Sequence, residues 1–130
     1  KMLFKYILSD RSTGVFNGRA LVREDSQKID SIQTNNNLIL SDSSIMNSNP
    51  QLEIYADDVK CTHGSTTGQL DKDALFYLRS RGLDIFEAKS ILINGFANEI
   101  IDQMSNITFK TTFTKYLDQW LKNINDRSNS

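Results

Sequence analysis

The chain has one cysteine, one proline, one tryptophan and one histidine among its 130 residues. A single thiol cannot close a disulfide within the chain, which favours a reducing compartment. It cannot by itself make a structural zinc site or ligate an iron–sulfur cluster either. An excess of one charge is also lacking: the formal net charge is −1. Bulk electrostatics therefore give no case for nucleic acid or an anionic membrane as a partner. No apolar run approaches the length that spans a bilayer. No basic-then-apolar leader opens the chain, and Lys1-Met2-Leu3-Phe4-Lys5-Tyr6 looks like a strand entered partway. With 38% hydrophobic and 24% charged residues, the composition fits a soluble globular protein of one domain, or of two small subdomains.

What is present changes period partway along. Met2 to Leu8 suits a strand, and Asp10 to Gly14 is a turn cluster. Val15-Phe16 and Ala20-Leu21-Val22 are short apolar pieces broken by Asn17-Gly18. Arg23 to Lys28 is charged and exposed, and Ile29 and Ile32 resume the apolar beat. Thr34-Asn35-Asn36-Asn37 leads into Leu38-Ile39-Leu40. Asparagine tolerates the left-handed backbone region and can ladder when stacked, so this run is expected at corners. Short strands between such corners suit a β-solenoid, with a plain β-sandwich as the competing pattern. Leu52, Ile54 and Ala56 alternate with Glu53 and Tyr55. Asp57-Asp58 makes a corner, and Val59, Cys61 and His63 then alternate with Lys60 and Thr62. Gly64-Ser65-Thr66-Thr67-Gly68 is expected to end that strand.

From Asp71 the period is helical. Asp71 is an N-cap candidate, with Ala74, Leu75 and Leu78 on one stripe, Arg79 and Arg81 in the last turn and Gly82 just past the end. Asp84 to Glu87 is a capping-box start for a second helix. Its stripe runs Ala88, Leu92, Phe96, Ile100 and Met104, widened by Ile85, Ile93, Ala97 and Ile101, with Gly95 as a close-packing point. A third helix carries Phe113, Tyr116, Leu117, Trp120, Leu121 and Ile124. Asp126 to Ser130 reads as a frayed tail.

Cys61 and His63 are the first chemical candidates, because alternation puts thiol and imidazole on one side of one strand. They could hold a soft metal or part of a cluster, or act as nucleophile and base; the plain alternative is a core cysteine and a hydrogen-bonded histidine. Asp57-Asp58 suits a solvated turn better than a cation site. Gly64 to Gly68 lacks the lysine and spacing of a phosphate-binding loop. Phe113, Tyr116 and Trp120 fit core or a partner-docking surface.

The run Leu52-Glu-Ile-Tyr-Ala-Asp-Asp-Val-Lys-Cys-Thr-His-Gly-Ser-Thr-Thr-Gly-Gln-Leu-Asp71, followed by Leu75-Phe-Tyr-Leu-Arg-Ser-Arg-Gly82, resembles the C-terminal signature of the SufB/SufD family, the scaffold components of the Suf iron–sulfur cluster assembly system. Asn17-Gly18 and Ile93-Asn94-Gly95-Phe96-Ala97 agree in character. Asp57-Asp58-Val59-Lys60-Cys61-x-His63-Gly64 is SufD-like. Family members of the SufB type carry a glutamate at the position of Gly64 and a cysteine in the region of Asn35 to Ser41. Ser65 stands where the family more often has alanine.

The resemblance implies a fold that is mainly β and then α: the C-terminal coils of a right-handed parallel β-helix in residues 1–69, and a small helical domain in residues 70–130. Because family members are much longer, it also implies a C-terminal fragment. It implies a non-enzymatic scaffold that pairs with a SufB-type subunit through the β-helix and docks a SufC-type ABC ATPase through the helical domain. A transient iron–sulfur cluster would form at the SufB–SufD interface of the intact complex, with Cys61 and His63 at or near it, and none would be held by this chain alone. Leu75, Phe76, Tyr77, Arg79, Arg81 and Phe96 are the docking candidates. The expected compartment is the cytoplasm, or the plastid in a eukaryote. An open strand edge should favour self-association of the isolated chain, a homodimer being its simplest form. Competing readings are a thiol/imidazole metal-binding enzyme and a β-solenoid ligand-binding module.

Overall fold

The computed structural model describes residues 1–128. Five strands precede three helices: β1 (Met2–Leu8), β2 (Thr13–Val22), β3 (Ile29–Ile39), β4 (Ile45–Ile54), β5 (Val59–Gly68), α1 (Lys72–Ser80), α2 (Ile85–Ile101) and α3 (Ile107–Ser128). The strands fall into two sheets, ordered β1-β3-β5 and β2-β4, and every pairing is parallel. Successive strands alternate between the sheets. Register partners are 30 to 32 residues apart: Met2 lies opposite Gln33, Thr13 opposite Ile45 and Ile29 opposite Val59. The chain thus returns to the same place once per such interval. An antiparallel sandwich is excluded for these strands.

The corners stack as the strands do. Asp10, with φ 58°, turns the first corner, and its carbonyl accepts from Ser41 Oγ at 2.5 Å and Ser44 Oγ at 3.2 Å one coil later. Lys28, with φ 61°, turns another; its amide donates to the Asp58 carbonyl at 2.6 Å, while the Asp58 amide donates to Gln27 Oε1 at 3.0 Å. Hydroxyl and amide side chains satisfy corner groups that a sheet ladder cannot reach. Asp57-Asp58 is therefore a tied, solvent-facing turn.

The interior changes character along the stack. In the first coil Phe16 of β2 packs against Phe4 and Tyr6 of β1, with ring centroids 5.0 and 6.3 Å apart. Ala20 and Val22 continue this buried row. Gly18 is required here by close approach: a Cβ would stand 2.5 Å from Phe16 Cζ and 2.6 Å from Gln33 Nε2. In the next coil the interior row is polar. Gln33, Asn35 and Asn37 are all buried, Asn35 completely. The asparagines expected at corners thus stand inside β3. Their amides bond to each other at 2.8 and 2.9 Å, and Asn35 Oδ1 accepts from Ser48 Oγ of β4 at 2.6 Å. A buried amide is tolerated when its bonds are made, and the stacked coils supply the partners of Asn35 and Asn37.

β4 starts earlier than its sequence pattern suggests, and it includes Pro50. A proline is admissible there because β4 has a sheet neighbour, β2, on one side only. β5 does not stop at Gly64. Register pairing with Asn35–Leu38 carries it to Gly68, so the ladder overrides the local glycine, serine and threonine preference.

Residues 1–69 and those from Leu70 onward form two compact units. In the second, the Asp71 carboxylate caps α1 by accepting from the amides of Asp73 and Ala74 at 2.8 and 3.0 Å. Gly82 leaves α1 at φ 95°, and the Leu83 amide reaches back to the Leu78 carbonyl at 3.4 Å. Asp84 and Glu87 form a reciprocal capping box on α2, at 2.8 and 3.0 Å. α1 packs on α2 and α2 on α3. The buried apolar residues of this unit are Ala88, Ile93, Ile101 and Leu121.

Three helical expectations need correction. Met104 lies beyond α2, which ends at Ile101; Asn106 then caps α3, its side chain accepting from the amides of Thr108 and Phe109 at 2.9 and 3.1 Å. A Cβ on Gly95 would meet nothing within 4 Å, so close packing is not what places glycine there. Asp126 to Ser128 belong to α3 rather than to a frayed tail, and the remaining two tail residues, 129 and 130, lie outside the described residues.

Candidate functional site

Cys61 and His63 are positioned by β5, the last strand of its sheet. One edge of β5 pairs with β3; the other has no strand neighbour among the described residues. Alternation puts Val59, Cys61, His63, Ser65 and Thr67 on the interior-facing side, above Ile29, Ser31, Gln33, Asn35 and Asn37 of β3. With no further coil above, that side is open: Cys61 is a half-buried free thiol and His63 is exposed. The structure brings the two together on one strand face.

Hydroxyls and amides continue the same face beyond them. Ser65 Oγ lies 3.1 Å from Asn35 Oδ1 and 2.7 Å from Ser48 Oγ, and Asn37 Nδ2 donates to Thr67 Oγ1 at 3.3 Å. The polar interior of the coil below thus continues up into the open face. Sequence reasoning missed Gln33 and Ser48 here. The signal available was polar residues at alternate positions in an otherwise strand-like run.

One thiolate and one imidazole can supply two ligands to a soft metal or a cluster, fewer than the four thiolates that usually hold one. No group of three or more histidine, cysteine, aspartate or glutamate side chains among the described residues is arranged to hold a metal ion. The open face can therefore contribute part of a site, to be completed from elsewhere.

The docking candidates are spread over two helices. On α1, Phe76 and Arg79 share one face at i, i+3 spacing, and both are exposed, Phe76 at 75%. Tyr77 and Arg81 form a second pair: Arg81 Nε donates to the Tyr77 hydroxyl at 3.2 Å, with the guanidinium 5.3 Å over the ring. Leu75 is half-buried on the packed side, and Phe96 of α2 is half-buried. Sequence reasoning missed Ile107 and Phe109 at the start of α3. Phe109, Phe113 and Tyr116 recur at helical spacing and are all exposed, while Leu121 carries the burial.

The family model described as SUF system FeS cluster assembly, SufBD core domain, matches residues 1–96, which take in all five strands and α1. The chain belongs to the SufBD core family. It is 46% identical over 102 residues to an iron–sulfur cluster assembly SufBD family protein of Synechocystis, covering 78% of this chain and 22% of that one. It is 44% identical over 104 residues to the iron–sulfur cluster assembly protein SufD of Escherichia coli, covering 80% and 25%. A chloroplastic protein of Arabidopsis thaliana, ABCI7, is 36% identical over 107 residues, covering 82% and 22%. The chain thus spans about a quarter of the length of these relatives. Among the described residues no helix is long and apolar enough to cross a membrane.

Proposed function

We propose that this chain serves as SufD-type scaffold in a Suf complex that assembles iron–sulfur clusters, with no catalytic step of its own. The observation that carries the reading is family membership over residues 1–96, together with 44% identity to a protein named SufD. In this reading the stacked strands are coils of a right-handed parallel β-helix, and residues 70–130 are its C-terminal helical domain. The β-helix pairs with a SufB-type subunit. Cys61 and His63 lie at that interface, where the cluster is transient cargo completed by ligands from the partner. The helical domain docks a SufC-type ABC ATPase, and the compartment is the cytoplasm, or the plastid in a eukaryote.

The ligand shortfall on the open β5 face supports a shared site over a self-contained one. Exposed Phe76, Tyr77, Phe109, Phe113 and Tyr116 support a partner for the helices. The test is retention of a SufC-type ATPase by the immobilised chain; loss of all retention by a folded chain counts against the docking reading. In the intact complex, His63→Ala is expected to lower cluster loading about tenfold, the scale of losing one ligand-shell group, without changing the melting of the strands. Normal loading in that variant removes His63 from the site. A stoichiometric cluster on the isolated chain after anaerobic reconstitution would contradict the shared-site reading.

A further inference from the structure

Three successive interior positions of β3 and β5 lie directly opposite each other: Gln33 and His63, Asn35 and Ser65, Asn37 and Thr67. Side chains facing one way from adjacent parallel strands stand one strand spacing apart, within hydrogen-bonding reach for groups of this length. Two of the three pairs are bonded, at 3.1 Å for Asn35 with Ser65 and 3.3 Å for Asn37 with Thr67. At the remaining pair Gln33 is only 3% exposed, and its Oε1 is buried with no hydrogen-bond partner. Its nitrogen occupies the space that Gly18 leaves, where a Cβ would stand only 2.6 Å away. A buried carbonyl oxygen without a donor is costly, and natural interiors rarely leave one. The neighbour above it in the ladder is an imidazole, which always carries at least one ring N–H. His63 is exposed, so turning its side chain toward Gln33 displaces no packed neighbour.

We infer that Gln33 is a positioning residue for His63: its Oε1 accepts a hydrogen bond from one ring N–H, orienting the imidazole over the open end of the coil. In the neutral ring that bond fixes the tautomer, so the other nitrogen presents its lone pair outward. The inference deepens the proposed role of His63 and rests on it for its purpose, but the bond itself can be tested separately.

His63 is the only histidine in the chain, so ring-15N-histidine labelling gives a single imidazole to observe. With the ring neutral, the wild-type chain is expected to show two well-separated ring nitrogens of one tautomer and a ring proton protected from solvent exchange. Gln33→Leu should bring the two nitrogen signals toward their solvent-averaged positions and abolish the protected proton. Gln33→Glu, which keeps an acceptor oxygen, should retain that proton. A solvent-averaged ring in the wild type overturns the inference, as does a single tautomer unchanged in a folded Gln33→Leu chain. If Gln33→Leu does not fold, the wild-type spectrum and Gln33→Glu decide alone: a protected proton in both supports the bond, and its absence from either overturns it. Normal cluster loading in His63→Ala with a protected ring proton would defeat the site reading and leave the bond standing. Impaired loading with an averaged ring would do the reverse.

Discussion

The two units of this molecule hold themselves together by different means. The strand unit relies on parallel ladders and, inside its second coil, on amides and hydroxyls that bond to one another. The helical unit relies on caps and a short apolar core, and it leaves Phe76, Ile107 and Tyr116 more than 70% exposed. The bonded pair Asn35 and Asn37 needs no further partner at its own level. An apolar surface of that kind is stabilised by being covered. The strand unit also exposes Val15, Leu21, Ile45 and Tyr55 by more than half, so what sets it apart is its bonded polar interior.

The contrast can be broken most sharply at Asn35. Its oxygen accepts from Asn37, Ser48 and Ser65, so Asn35→Ala should destabilise the strand unit by about 3 kcal/mol, the cost of a lost buried amide and an orphaned buried Asn37. A loss below about 1 kcal/mol in chemical denaturation would mean that the ladder is not cohesive. Next comes Gly18→Ala, where the new methyl group meets Phe16 and Gln33. We expect about 2 kcal/mol of overpacking, read from the same denaturation curves, and an unshifted midpoint would show the coil to be looser than described. On the helical side, Asp84→Ala removes a capping box and should cost about 1 kcal/mol. That loss should appear in helical circular dichroism while strand amide signals stay in place.

Much of this contrast was legible beforehand, and the illegible part has a common cause. Asp71, Asp84 and Gly82 act through neighbours a few residues away, so a local pattern suffices to place them. Asn35 and Asn37 act through residues 13 to 31 positions off, in coils whose stacking decides whether an asparagine is corner or interior. Gly64 to Gly68 look like a strand terminator until β3 is laid alongside. The alternation that paired Cys61 with His63 was visible, because period two needs no partner strand. That Gln33 sits beneath His63 was not, since it depends on the coil length. On α3, the aromatic residues were legible as a stripe, but which stripe faces inward depends on where α2 crosses it.

Smaller effects sharpen the comparison further. Phe109→Ser and Phe113→Ser should each change stability by less than about 0.5 kcal/mol, because both rings are already exposed. On the proposed docking, their retention of a SufC-type ATPase should nonetheless fall; full retention by both would remove this stripe from the proposed surface. The smallest expected effect is Arg19→Met. Arg19 donates to Glu53 at 2.6 Å on the outer face of the coil, and this bond, with the carboxylate's charge, holds the guanidinium above its usual pKa. The group is charged at every ordinary pH with or without that shift, so the pair adds no pH dependence near neutrality. Solvent screening makes it weak, and the melting midpoint should stay where it is at both low and high salt.

The constant interval between stacked strands has a consequence for how the chain folds. Each strand must wait for a segment 30 to 32 residues further on before it finds its partner. Every closure therefore carries nearly the same loop entropy, and no single step stands out as the difficult one. Since each coil meets only its neighbours, assembly can advance like a zip from whichever coil forms first. During synthesis β1 can pair with β3 before any helix has been made, whereas β5 is laid down last. When pairing follows synthesis, the strand that bears Cys61 and His63 is the last of the described strands to join its sheet.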